Sequence, residues 1–373
     1  MKIGVFNPTF NVYGGGEFVT AVIANSLAQK GHDVVLFTNA QINGINVKKF
    51  FGKSLHPLIT NIIHSSFIKP KGLLDFYQNL LRSYILKLKT DILIDVYSCC
   101  LFPWTDISYI HFPFINNFNY FREFPYIKYP HLLQIGAFPY VLFQKKLFNP
   151  NDKLVIANSN YTASEIMKNS ANYSTVLYPP VSSVFFNDNQ SDLTAKHKEN
   201  LVVTVSRFDP DKGLEKIPYI ASLTRKNVHF AIIGRLYNKK TFLSLQNLTK
   251  KLGVNDRIHF FPDVSRSKMK EILQRSKIYL HTKIGEHFGI SIVEGMAMGC
   301  IPITHDSGGN TEFVPKDLRY QTIYEAAEII SNQIVNWSSQ KVIENQKVAE
   351  QFREEKFSND FLRLFEQYVE RYF

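Results

Sequence analysis

Apolar and polar positions come in alternating blocks along the chain. Apolar runs at residues 3–6 and 34–38 flank a turn at Gly14-Gly15-Gly16 and a helix-like stretch at 17–30. Two short strand-like runs joined by a helix of that length predict a parallel β-α-β unit. Runs at 92–96, 108–111 and 154–158 add strands, and 161–169 reads as a short helix behind the last. Between 187 and 200 Asp, Asn, Gln, Ser and Lys replace apolar residues, which marks a linker. Beyond it, strand-like runs at 201–206, 228–233, 258–261, 278–282 and 301–304 alternate with helical intervals. The expected fold class is α/β, with two Rossmann-like, doubly wound parallel-sheet domains. The expected division is an N-terminal domain at 1–186, a linker at 187–200 and a C-terminal domain at 201–341. A helical tail at 342–373 is expected to pack back across both domains.

A length of 373 residues suits two such cores, and 45% hydrophobic with 20% charged residues excludes wholesale disorder. Cys99, Cys100 and Cys300 cannot make a disulfide framework, and no metal-binding spacing of Cys or His stands out, so a reduced, cytoplasmic setting is expected. The first residues read as a strand rather than a signal peptide, and no stretch reaches the ~20 apolar residues that span a bilayer. The charge balance of 43 basic against 32 acidic residues, +11, favours acidic partners: nucleic acid, an anionic membrane surface or a phosphorylated substrate.

The sharpest motif runs from Glu286 to Glu294 and brackets an expected helix start at Gly289. Free N–H groups and the positive dipole end at a helix start attract phosphate, and glycine lets it approach. Two carboxylates there can accept hydrogen bonds from sugar and ribose hydroxyls; the same pattern also fits a solvated helix residue and a terminal charge. Arg207 and Lys212 follow the second domain's first strand, where open α/β sheets bind ligands, and could neutralise a diphosphate. Asp209-Pro210-Asp211 spells a pattern that can hold a divalent metal, but flanking Arg207 and Lys212 already bring positive charge, so no metal site is expected. Gly14-Gly15-Gly16-Glu17 opens a helix, as either a binding loop or a plain tight turn, and His111 ends a strand. Between 101 and 148 aromatic residues crowd together with Arg122, Lys128, Lys145 and Lys146 interleaved. That mixture suits a membrane interface, base stacking or a ring-filled core.

Taken in order, several motifs resemble the retaining glycosyltransferases of family 4, which have the GT-B fold of two Rossmann-like domains facing a cleft. They are Gly14 to Glu17, Tyr109 to Pro113, Ala157 to Thr162, Tyr178 to Val181, Ser206-Arg207 through Lys212-Gly213, the Glu286/Glu294 pair and His305 to Gly309. The wording of Glu286 to Ile290 and His305 to Gly309 is most similar to the GDP-mannose-dependent α-1,2-mannosyltransferases of lipid-linked oligosaccharide assembly. The resemblance implies that Arg207 and Lys212 hold the donor diphosphate, Glu286 the transferred sugar and Glu294 the ribose. It also implies that Gly15 and Gly16, and Phe288, Gly289 and Ile290, offer backbone N–H groups to the phosphates, with His111 beside the sugar.

The function expected from this is a metal-independent, retaining hexosyltransferase moving mannose from GDP-mannose to a glycan or lipid-linked oligosaccharide. Its expected place is the cytoplasm, peripheral to an anionic membrane, with no cofactor beyond the donor. Glu286 is the residue named for either a nucleophile or a sugar ligand. The alternatives are a UDP-sugar transferase of surface polysaccharide or glycoprotein assembly and, outside enzymes, a basic nucleic-acid-binding protein. The last would leave Glu286 and Glu294 without purpose, so nucleic acid is not an expected partner.

Overall fold

A computed structural model describes residues 1–63, 72–97, 100–113, 130–170, 172–186 and 198–373. Its contacts divide the chain into two compact units, Met1–Pro180 with Glu354–Phe373, and Val181–Arg353.

The first unit is built on a parallel sheet of seven described strands. In chain order they are β1 (Lys2–Phe6), β2 (Asp33–Thr38), β3 (Ile59–Ile63), β4 (Ile92–Asp95), β5 (Ile107–Ile110), β6 (Leu154–Ala157) and β7 (Thr175–Val176). They lie in the order β3-β2-β1-β4-β5-β6-β7. Ile3, Val5 and Phe6 of β1 are fully buried, as a central strand covered on both faces requires. Helix Gly15–Gln29 follows β1 and opens on the glycine turn, where the Gly14 N–H donates to Glu17 at 2.9 Å and the Thr9 hydroxyl to its other oxygen at 3.1 Å. Strands β3 and β7, and the helices Gly44–Phe51, Leu73–Lys87 and Pro130–Leu147, went unread in the sequence. Of the aromatic stretch, Phe102, Tyr109, Phe112 and Tyr140 are buried while Phe138 and Phe143 are exposed; 114–129, with Arg122 and Lys128, lie outside the described residues.

The second unit carries a parallel sheet of six described strands: β8 (Glu199–Val205), β9 (His229–Gly234), β10 (Ile258–Pro262), β11 (Ser276–His281), β12 (Ile301–His305) and β13 (Arg319–Tyr320). Their order, β10-β9-β8-β11-β12-β13, reverses direction between β8 and β11. Such a reversal splays the loops apart and opens a crevice at the carboxyl ends of the two strands. At the end of β9, Gly234 presses on the loop that leaves β8: a Cβ there would come within 1.7 Å of the Ser206 carbonyl oxygen.

The seams between units fall away from the expected residues 186 and 341. Val181 donates its N–H to the Phe352 carbonyl at 2.8 Å, and the Arg353 guanidinium covers the Phe186 ring at 4.3 Å, so 181–186 and 350–353 stay with the second unit. The tail divides. Helix Ser339–Ala349 packs beside helix Ile290–Ala297, with Gln346 donating to the Ala297 carbonyl at 3.2 Å. Helix Glu354–Tyr372 buries Phe357, Phe361 and Phe365 in the first unit, where His32 meets Phe365 and Tyr109 meets Phe357. Of the expected linker, 187–197 lie outside the described residues, and Glu199 already begins β8.

Gly234→Ala should force the Ser206 loop off β9 and cost about 2–3 kcal/mol, the scale of overpacking at a fixed backbone. Urea unfolding of the variant beside the parent protein measures this, and an unchanged midpoint would show that the loop can yield.

Candidate functional site

The carboxyl ends of β8 and β11 hold a compact set of charges. After β8, Asp209 accepts the Asp211 N–H at 3.4 Å and starts a 3₁₀ turn, Pro210–Lys212. The Thr282 hydroxyl, just past β11, donates to the Lys212 carbonyl at 2.9 Å and ties that turn to the neighbouring strand. From β11 the chain runs through Lys283 to Glu286, whose backbone is clamped on the other side. The Gly309 N–H donates to the Glu286 carbonyl at 2.7 Å, and the Ser307 hydroxyl accepts the Gly285 N–H at 2.8 Å. Gly308, at φ +83°, lies so close that a Cβ would sit 2.2 Å from the same carbonyl oxygen, so only glycine fits.

The side chains then converge. Glu286 Oε2 lies 3.0 Å from His281 Nε2 and 3.9 Å from Lys212 Nζ, and its Oε1 accepts the His287 N–H at 3.1 Å. Asp211 Oδ2 lies 3.6 Å from Lys212 Nζ and 3.9 Å from Lys283 Nζ. Burial pushes the Glu286 carboxyl up, but Lys283, Lys212 and His281 overcome that and hold it well below the usual carboxylate range. Lys283, only 7% exposed, is pushed down to about 8 by burial, with Glu286 resisting the shift. Asp211 is likewise opposed by burial, yet Lys212 and Lys283 keep it low, while burial and Asp211 raise Asp209. Both carboxylates of the Asp-Pro-Asp sequence therefore have partners within the loop and the cationic cluster. Among the described residues no group of three His, Cys, Asp or Glu side chains is arranged to hold a metal ion.

Beside the cluster, helix Ile290–Ala297 starts at Gly289, with φ +96°, and the first N–H groups of a helix have no acceptor within it. The Phe288 ring is buried against Phe313 and Phe352 and anchors that start. Ammonium groups around an ionised carboxylate three residues before a helix start can bind a phosphorylated, hydroxyl-rich ligand.

The structure brings together Lys212, Glu286 and the start at Phe288, Gly289 and Ile290. Arg207 stands at the edge, with its guanidinium 5.0 Å from the Tyr237 ring centroid, and its charge still lowers the Asp211 carboxyl. Glu294 is separate: it is buried and accepts from Arg266 at 2.7 Å, and Arg266 in turn covers the Phe185 ring at 4.6 Å. Burial raises the Glu294 carboxyl against the pull of Arg266.

In the first unit, Gly15 and Gly16 begin their helix beside His111 at the end of β5, and a Cβ on Gly16 would come 2.9 Å from His111 Nε2. Burial pushes His111 down to about 4, so the imidazole is neutral near pH 7. Sequence reasoning missed His281 and Lys283. A lysine closing the apolar run 278–282 just before Glu286 was the available signal, because a cation at a buried strand end needs an anionic partner.

Two parallel α/β units of this topology define the GT-B fold. HepE from Anabaena in complex with UDP-glucose superposes with a TM-score of 0.74 at 18% identity, covering 98% of this chain and 100% of that one. WaaG, a glycosyltransferase involved in lipopolysaccharide biosynthesis, gives 0.70 at 14% identity, with 94% of each chain covered. At these identities the likeness speaks for the fold. Residues 185–357 match the family model of the glycosyl transferases group 1. The human GDP-Man:Man(3)GlcNAc(2)-PP-Dol alpha-1,2-mannosyltransferase is 26% identical over 365 residues, 83% of this chain and 73% of that protein. The Dictyostelium discoideum enzyme of the same name is 28% identical over 251 residues, 60% of this chain and 49% of its own length. The second unit thus resembles the group 1 glycosyltransferases, and the chain as a whole is distantly similar to these mannosyltransferases.

Because the folded Glu286 carboxyl titrates below its ordinary value of 4.5, its charge contributes stability above that pH and loses it as pH falls through the folded value. Glu286→Gln should therefore destabilise the protein at neutral pH by about 3 kcal/mol, the scale for stranding partly buried charges, and by progressively less in acid. Paired unfolding curves at neutral and acid pH test this; a gap independent of pH would mean the carboxylate charge contributes nothing.

Proposed function

We propose that the chain transfers mannose from GDP-mannose, with retention, to a glycan or lipid-linked oligosaccharide at the cytoplasmic side of an anionic membrane. One observation carries the reading: Glu286 is held ionised among His281, Lys212 and Lys283 at the switch point of the second sheet, next to a helix start. The similarity to GDP-mannose enzymes supports the choice of donor.

In this reading Arg207, Lys212 and Lys283 neutralise the donor diphosphate, with backbone N–H groups at Phe288, Gly289 and Ile290 facing its oxygens. Glu286 accepts hydrogen bonds from the sugar hydroxyls, and Glu294, oriented by Arg266, serves the ribose. The bond from the anomeric carbon to the diphosphate oxygen breaks as the acceptor oxygen bonds to that carbon on the same face. The departing diphosphate takes the acceptor hydroxyl's proton. Positive charge fixed before the reaction stabilises the leaving group most where its negative charge grows. The ammonium and guanidinium groups fill the part a metal ion plays elsewhere, since Asp209 and Asp211 are already engaged.

Screening nucleotide sugars by donor hydrolysis and thermal stabilisation should single out GDP-mannose, and Glu286→Ala should lose at least a hundredfold in turnover while still binding GDP. Preference for a UDP-sugar would replace the donor, and unchanged turnover would remove Glu286 from the mechanism. Lys283 is cationic below about 8, so GDP affinity should fall as pH rises through that region, and Lys283→Arg should abolish the fall. Isothermal titration across this range decides it; equal slopes in both proteins would place Lys283 away from the diphosphate.

A further inference from the structure

We infer that helices Leu73–Lys87 and Pro130–Leu147 of the first unit form a docking face for an anionic lipid bilayer. The first helix is apolar on its outer side as well as its inner one, where Phe76, Leu80 and Leu86 are buried. Its Asn79, Arg82 and Ser83 are buried, with the Arg82 guanidinium donating to Asn39 at 3.1 Å, Asn79 at 3.2 Å and Gln78 at 3.2 Å. Its outward side carries Leu74, Leu81, Tyr84 and Ile85, with Leu88 just beyond its end, and Leu74 is 70% exposed. A surface helix of a soluble protein ordinarily keeps the side away from the core polar.

The second helix repeats the arrangement. Ala137, Tyr140 and Gln144 face inward, while Leu132, Ile135, Phe138 and Leu142 face out, with Ile135 at 70% exposure. The two exposed stripes are joined. Tyr77 donates to the Gly136 carbonyl at 2.7 Å, the Phe76 and Tyr140 rings meet at 5.0 Å, and Trp104 touches Tyr84 at 5.1 Å on one side and Phe143 at 6.1 Å on the other. Residues 77 and 84 of one helix thus match 136 and 143 of the other, so the helices run side by side in the same direction. Their carboxyl ends, carrying exposed Lys89 on one side and Lys145 and Lys146 on the other, lie at the same end of the face.

Charge selects the occupant. Asp75 is the one acidic residue in the two helices, and the chain as a whole carries +11. A wide apolar face with lysines at one border meets both the acyl boundary and the anionic headgroups of a bilayer. A second copy of the chain would instead bring more lysines to that border. Among the described residues no helix is long and apolar enough to cross a membrane, so these two would lie on its surface. The inference rests on the first unit alone and does not depend on the proposed donor.

Sedimentation with vesicles tests it. The full chain should bind vesicles containing one-third phosphatidylglycerol at least tenfold better than pure phosphatidylcholine, and high salt should weaken that binding. Combining Leu81→Ser, Ile135→Ser and Phe138→Ser should cut binding at least tenfold, while the unfolding midpoint and nucleotide-diphosphate affinity stay unchanged. Lys145→Glu with Lys146→Glu should weaken anionic binding and leave the weak neutral binding as it was. The inference is overturned if the parent protein ignores both vesicles, if the serine variant binds as well as the parent, or if that variant merely turns a self-associated protein into monomers.

Discussion

A carboxylate kept ionised where water is scarce is the constraint on which the second unit's site depends. Removing Glu286 from water opposes its charge, and only fixed positive neighbours reverse that preference. Those neighbours come from two strands. Lys212 follows β8, whereas His281 and Lys283 belong to β11 and the loop after it, and the sheet order makes these strands adjacent. The hydrogen bond from Thr282 to the Lys212 carbonyl and the bonds binding residues 285 and 286 to 307 and 309 hold the loops at that spacing. Without the backbone clamps, ammonium groups on long side chains would lose the attraction to entropy and solvent.

The same cluster explains how an anionic ligand could enter without large rearrangement. Asp211 and Glu286 pair with Lys212 and Lys283, so the protein's own carboxylates hold the cations in place. Preorganisation of this kind removes part of the ordering cost of binding. It also makes Lys283 sensitive to its surroundings: burial pulls it toward neutrality, and each nearby negative charge restores its proton. Glu294 works under a different balance, because a single guanidinium, Arg266, offsets its burial.

The first unit follows another logic. His111 is neutral beside Gly16, and the helices Leu73–Lys87 and Pro130–Leu147 carry apolar residues on their outer sides as well as their inner ones. Most of its central strands were legible because buried parallel strands read as continuous apolar runs. The outer strands β3 and β7 were not, since Ile59–Ile63 carries polar residues and Thr175–Val176 is too short to show a pattern. These two helices were missed for a related reason: they lack the usual polar stripe by which a surface helix is recognised.

Local order was enough to establish the alternation of strands and helices, the second sheet and the motif residues Arg207, Lys212, Glu286 and Gly289, because strand runs, glycine turns and acid-flanked helix starts are set by neighbours in the chain. Tertiary structure alone decided which charges meet. His281 and Lys283 join Lys212 across a strand boundary, Glu294 is drawn to Arg266, and the seams between units move to Pro180 and Arg353. It also decided which face of each helix turns outward. Periodicity defines a helix's sides, but only packing against the rest of the molecule says which of them is left in contact with the surroundings.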